Sequence, residues 1–169
     1  HVKANKVCQD AAGESRFDDV CIIAVADGHG SDNYFRTDQG SKFAVSAVLS
    51  AVKAFVKEAR ENQLPSVPES EDELSQIAKN ILAEWYEQVE SHVACEPFRS
   101  EELSKVSDKY KQRYASGQYN AKAYGTTLIA VCMTREGWFG IHIGDGKCVA
   151  LQEDGTLCEP IPWDDACEQ

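Results

Sequence analysis

The residues of this chain that can do chemistry stand where apolar runs stop. Val20 to Ala26 is rich in β-branched residues and ends abruptly in Asp27-Gly28-His29-Gly30. The run reads as a buried strand and the glycines as a tight turn. A carboxylate, a bare backbone and an imidazole are thereby set side by side. Asp offers hard oxygen ligands to a cation, glycine lets a ligand approach the main chain, and His moves protons near neutral pH. Asp10, in Cys8-Gln9-Asp10, and Asp145, between Gly144 and Gly146, repeat the theme. Taken singly, each Asp also has a plain reading as a turn residue. Together, carboxylates at strand ends are how a sheet presents oxygen ligands to hard cations.

Periodicity indicates the elements that must position these groups. Residues 1–12 read as polar and extended or turn-like, and residues 20–26 as the strand just described. Residues 40–60 carry a helical pattern, with Phe43, Ala47, Ala51, Val52, Phe55, Val56 and Ala59 near one face. Asn62 to Ser70, with Pro65 and Pro68, breaks it. A second helix opens on a capping box, Ser70 to Glu73, and continues through Leu74, Ile77, Ile81, Trp85 and Val89. Residues 96–120 are polar and read as a short helix followed by a loop. Gly125 to Met133 reads as a buried strand, Arg135-Glu136-Gly137 as a turn and Trp138 to Ile143 as a strand. Cys148 to Leu151 reads as a third strand, closed by Glu153-Asp154-Gly155. One strand, two long helices and an antiparallel meander predict an α+β fold with helices outside a sheet. His142 reads as a hydrogen-bonded strand histidine, and Gly125-Thr126-Thr127 as a segment that shapes the sheet beside the site.

Bulk properties narrow the function. The chain has 169 residues, 43% hydrophobic and 27% charged, which predicts a single domain over 1–169. Acidic residues outnumber basic ones 28 to 17, for a net charge of −11. No basic stripe is visible, which argues against a nucleic-acid partner. No apolar stretch approaches the ~20 residues of a membrane span. Seven cysteines without a Cys-x-x-Cys pair argue against structural zinc and for a reduced, intracellular protein, with the cytoplasm as the expected compartment.

Four strings in order carry a resemblance: Cys8-Gln9-Asp10-Ala11, Asp27-Gly28-His29-Gly30, Gly125-Thr126-Thr127-Leu128 and Ile143-Gly144-Asp145-Gly146. They resemble the metal-dependent protein phosphatases, the type 2C serine/threonine phosphatases. The opening His1-Val2-Lys3 with Cys8-Gln9-Asp10 is most similar to a bacterial branch. The resemblance implies an antiparallel β-sandwich flanked by paired helices. It implies two Mn2+ or Mg2+ ions, and a weaker third, in a cleft at one end. The implied reaction is hydrolysis of phosphoserine and phosphothreonine in phosphoprotein substrates by a water held between the ions. In that scheme Asp27 bridges both ions, and the Gly28 carbonyl and the Gln9-Asp10 pair serve one of them. Asp145 serves the third ion, and His29 protonates the leaving oxygen. The chemistry is coherent, because a metal pair clamps phosphoryl oxygens and acidifies water without a covalent nucleophile. No cysteine sits in a phosphate-cradling loop and no Gly-x-Ser-x-Gly elbow occurs.

The chain also departs from the family pattern. Gln9 stands where most members have Glu, and Asn5 where an Arg grips the substrate phosphate, leaving Lys3, Lys6 and Arg16 as substitutes. The likeness accounts for about the first two-thirds of the family domain. The expected fold is therefore incomplete at its C-terminal end, around Asp164 to Gln169. Such a segment is expected to be a poor phosphatase alone. It would be completed by the remainder of its own domain or by another copy through exposed sheet edges. The competing reading is a non-catalytic, phosphatase-like binding or scaffold domain, supported by Gln9, Asn5 and the absent later motifs.

Overall fold

A computed structural model describes residues 7–161. The strand read at Val20–Ala26 (β2) is central to the fold. Its even-numbered residues Val20, Ile22, Ala24 and Ala26 are buried, while Ile23 and Val25 face the other way and are about half exposed. That is the two-residue period of a strand with one covered face. β2 pairs with Ala11–Phe17 (β1) on one side and Leu128–Met133 (β3) on the other, and β3 pairs with Trp138–Ile143 (β4). All pairings are antiparallel, in the order β1-β2-β3-β4. The register sets Ala11 opposite Ala26 and Leu128 opposite Ile143. It therefore delivers Asp10, Asp27 and the Gly144-Asp145 turn to the same end of the sheet.

Two helices cover the buried face. Thr37–Glu61 (α1) lies against the sheet through Ala44, Ala47, Val48, Ala51 and Val52. Small alanines bring the helix close, and the fully buried Val48, Val52 and Val56 contribute roughly 1.5–3 kcal/mol each. Glu71–Cys95 (α2) packs on α1 and buries only Ile77, Ile81 and Val89. The Ser70 hydroxyl caps α2 by accepting the Glu73 amide at 3.2 Å, and the Glu73 carboxylate accepts the Glu69 amide at 2.7 Å. The fold is α+β. Among the described residues no helix is long and apolar enough to cross a membrane.

Several sequence expectations change. Residues 11–17 form a strand, although their mix of Ala, Gly, Ser and Glu carries little β signal. Residues 96–120 hold two short helices, Ser100–Lys105 (α3) and Asp108–Ala115 (α4), and Asn120–Ala123 (α5) follows. These close a second core in which Val89, Val106, Tyr114 and Tyr124 are buried. Cys148 to Leu151 does not extend the meander. Only Ala150–Leu151 (β5) is strand, and it pairs with Leu157–Cys158 (β6) in a separate two-stranded sheet. The turn between them uses Gly155 at φ +84°. His142 is not hydrogen-bonded through its buried Nε2, which has no partner among the described residues.

Candidate active site

Asp27 leaves β2 held by residues a hundred positions away. Its amide donates to Thr127 Oγ1 at 3.0 Å. Its carbonyl accepts the Thr127 amide at 2.8 Å and Thr126 Oγ1 at 2.9 Å. The backbone is pinned while the side chain stays exposed. Gly28 donates its amide to the Gln9 carbonyl at 3.2 Å. A Cβ at Gly28 would lie 2.2 Å from Thr37 Oγ1 and 2.7 Å from the Gln9 carbonyl oxygen, so this close approach requires glycine. The His29 amide donates to the Gly125 carbonyl at 3.2 Å, and the same carbonyl accepts Thr37 Oγ1 at 2.7 Å. The exposed His29 ring meets Tyr34 edge-on at 4.7 Å.

The electrostatics are those of like charges brought together. Partial burial, a hydrogen bond with Asp10 and the charges of Asp10 and Asp145 push the Asp27 carboxyl above its ordinary range, while His29 pulls it down. A groove of about 560 Å³ opens beside them, lined by Asp10, Ala12, Asp27, Thr127, Ile129 and Lys147 among others. Among the described residues no group of three or more His, Cys, Asp or Glu side chains is arranged to hold a metal ion. The donor set is open: carboxylates beside bare backbone, with room for water. One or two carboxylates with room for water are the donors that a small, largely hydrated hard cation takes.

The fold thus gathers Asp10, Asp27, His29 and Asp145, with Gly28 between them. Gln9 joins through its carbonyl, and its side-chain oxygen lies toward Gly30. Lys3, Asn5 and Lys6 lie outside the described residues. Arg16 is not brought to the site, which corrects its assignment as a phosphate ligand. It pairs with Cys21 near the far end of the β1–β2 hairpin and bonds Glu14 at 3.3 Å. Five residues of strand, about 17 Å, separate it from Ala11.

Sequence reading missed Thr37, Tyr34, Arg36 and Lys122. Lys122 Nζ sits 5.2 Å over the Tyr34 ring, so a cation and His29 flank the same aromatic group. Arg36 is buried and reaches Glu102, Tyr124 and the carbonyls of Glu96 and Pro97. It anchors the site loop to the second core. No local signal announces these residues, because their partners are distant in the chain.

The family model for protein phosphatase 2C matches residues 1–167, and the chain belongs to that family. Among curated proteins, none matches the chain. Membership makes the protein a phosphatase by class, in a family that is generally metal-dependent and acts on phosphoproteins.

Proposed function

We propose that the protein hydrolyses phosphoserine and phosphothreonine in proteins, using Mn2+ or Mg2+ held at Asp10, Asp27 and Asp145. The observation that carries this is the group of like-charged carboxylates beside an exposed histidine, positioned by backbone hydrogen bonds. Bound divalent ions supply the charge that clamps phosphoryl oxygens and acidifies water. Asp10, Asp27 and Asp145, with Gln9 and the Gly28 carbonyl, would hold these ions. His29 holds the proton that the leaving serine or threonine oxygen takes up, since an alkoxide leaves poorly without one. Lys122 and Tyr34 flank the substrate beside His29. The unpaired cysteines among the described residues support a reducing compartment, the cytoplasm.

The test is release of phosphate from a phosphothreonine peptide with Mn2+, with Mg2+ and with EDTA. Activity that ignores EDTA overturns the reading. His29→Ala should slow alkyl phosphates at least tenfold more than aryl phosphates, whose leaving groups need no proton. Equal losses on both would remove the general-acid role. The open donor set, with no group of three or more His, Cys, Asp or Glu side chains arranged to hold a metal ion among the described residues, favours a second reading: a domain that binds phosphoprotein without turnover. Calorimetry would separate the two, because that reading predicts stable phosphopeptide binding with no phosphate released.

A further inference from the structure

A second concavity lies away from the carboxylates. A half-open groove of about 500 Å³ runs between the second half of α1, the start of α2 and the loop that joins them. Its apolar lining comes from Ala51, Ala54 and Phe55 of α1, Ile77 and Ala83 of α2, and Leu64, Pro65 and Val67 of the loop, interspersed with the amides of Asn62, Gln76 and Asn80. Its rim is acidic: Glu58, Glu69, Glu73 and Glu84. No lysine or arginine lines it among the described residues. Glu73 and Glu84 accept hydrogen bonds from the Glu69 amide and the Ser50 hydroxyl, both neutral donors.

The groove is preformed. The loop wall is fixed by the buried Ser66, whose amide donates to Glu136 Oε2 at 2.5 Å and whose hydroxyl accepts Arg60 Nε at 3.3 Å. The Leu64 amide closes back on the Ala59 carbonyl at 2.8 Å. A rigid wall spares a ligand the entropy of ordering it. Leu64, at 58% exposure, offers apolar surface at the mouth. The groove is also remote from the reaction. α1 starts at Thr37, which bonds the site backbone, and Ala51 lies about 21 Å further along the helix axis.

We propose that this groove docks a partner protein through a short segment rich in lysine or arginine and carrying apolar anchors. The apolar lining takes the anchors and the four glutamates pair with the cations. Charge complementarity selects this occupant. A second copy of the chain, with a net charge of −11, would bring like charge to an acidic rim. Docking here is independent of turnover and would raise the local concentration of a substrate or regulator near the site.

The experiment is fluorescence anisotropy with a labelled amphipathic dodecapeptide of lysine and leucine. Its counter-probe has glutamate for every lysine. The expected result is micromolar binding of the first and none of the second. Ala54→Trp and Ala83→Trp fill the groove from exposed helix positions without altering any charge, and each should weaken binding at least tenfold. Glu58→Gln with Glu69→Gln should weaken it several-fold and flatten the salt dependence. Glu87→Gln with Glu153→Gln, acidic residues outside the groove, should leave it unchanged. Circular dichroism and the thermal midpoint check the fold of each variant. A photo-reactive leucine in the peptide should crosslink the unmodified protein between residues 51 and 84. The proposal is overturned by absent binding, by tryptophan variants that fold and bind normally, by equal loss in the two glutamate pairs, or by crosslinks elsewhere. Phosphatase activity enters none of these readouts, so failure here leaves the catalytic reading standing, and the reverse.

Discussion

The two ends of the sheet carry the same residue type and treat it in opposite ways. At the β1–β2 turn, Asp18 and Asp19 meet Arg60 at 3.3 and 2.5 Å, and Asp19 also meets Arg135 at 3.6 Å. The Arg60 hydrogen bond is the main cause that holds the Asp19 carboxyl below its ordinary range. At the other end Asp27 faces Asp10 and Asp145, and its carboxyl is pushed up instead. Where the fold supplies the counter-charge, the carboxylate is structural. Where it supplies further carboxylates, the proposed function gives the counter-charge to bound divalent cations. Glu102 extends the first case: Arg36 grips it bidentately at 2.9 and 3.1 Å.

The largest effect expected from this contrast is catalytic. Asp27→Ala should lower phosphopeptide hydrolysis by about a thousandfold, roughly 4 kcal/mol of transition-state stabilisation. Its unfolding midpoint should stay close to that of the parent. Asp19→Ala should do the reverse, with activity kept and the midpoint lowered. If the two variants exchanged these behaviours, the contrast between the two ends would collapse.

Next comes the pH dependence of the Arg36–Glu102 pair. Burial alone would raise the Glu102 carboxyl, but hydrogen bonds from Arg36 and the Arg99 amide outweigh it and hold the group at about 2, against 4.5 for a free side chain. A depressed carboxyl stabilises the folded state above the unfolded value and loses that contribution as pH falls through the folded one. The Glu102 side chain is only 13% exposed, so the contribution at neutral pH is at most about 3 kcal/mol. Urea titrations of the parent and Glu102→Gln should differ most above pH 5 and converge toward pH 2. A constant difference across that window would show that packing, not charge, holds this loop.

What the sequence revealed follows the same division. β2 was legible because a buried strand writes a continuous apolar run, and α1 because seven apolar positions repeat at helical spacing. Asp27 and Asp145 stood out because each sits beside glycine at a strand end, while Asp10 directly precedes the strand paired with β2. β1 was not legible, since Ala12, Glu14 and Arg16 alternate with small residues whose burial depends on α1 above them. Arg36 and Thr37 were invisible for a different reason. Their value comes from Glu102, Tyr124 and Gly125, brought near by the tertiary fold. Arg16 misled because proximity in sequence to Asp10 runs along an extended strand, which carries it away.

A smaller effect sharpens the structural end. Arg60→Ala removes the partner of two aspartates and of the buried Ser66 hydroxyl. The Arg60 side chain is 31% exposed, so solvent screens the ion pairs and the loss should be about 1–2 kcal/mol. Chemical denaturation measures it. An unchanged midpoint would mean that Asp18 and Asp19 need no counter-charge, and the two ends would then differ less than their geometry indicates.

The smallest effect is the most discriminating, because its sign opposes that of most substitutions. Asp27→Asn keeps the shape of the side chain and removes one of three neighbouring negative charges. Without divalent cations, repulsion among Asp10, Asp27 and Asp145 favours the variant. The carboxylate is exposed and screened, so the gain should be only about a few tenths of a kcal/mol. With millimolar Mn2+ or Mg2+ the order should invert. The parent should rise in thermal midpoint by linkage to cation binding, and the variant should stay where it was. Scanning calorimetry of both proteins, with and without metal, reads all four values. A parent that gains nothing from either ion, or a variant that gains as much, would mean that the like charges at Asp27 are not a cation site. Asp27 would then be a cost of the fold with no ligand to relieve it.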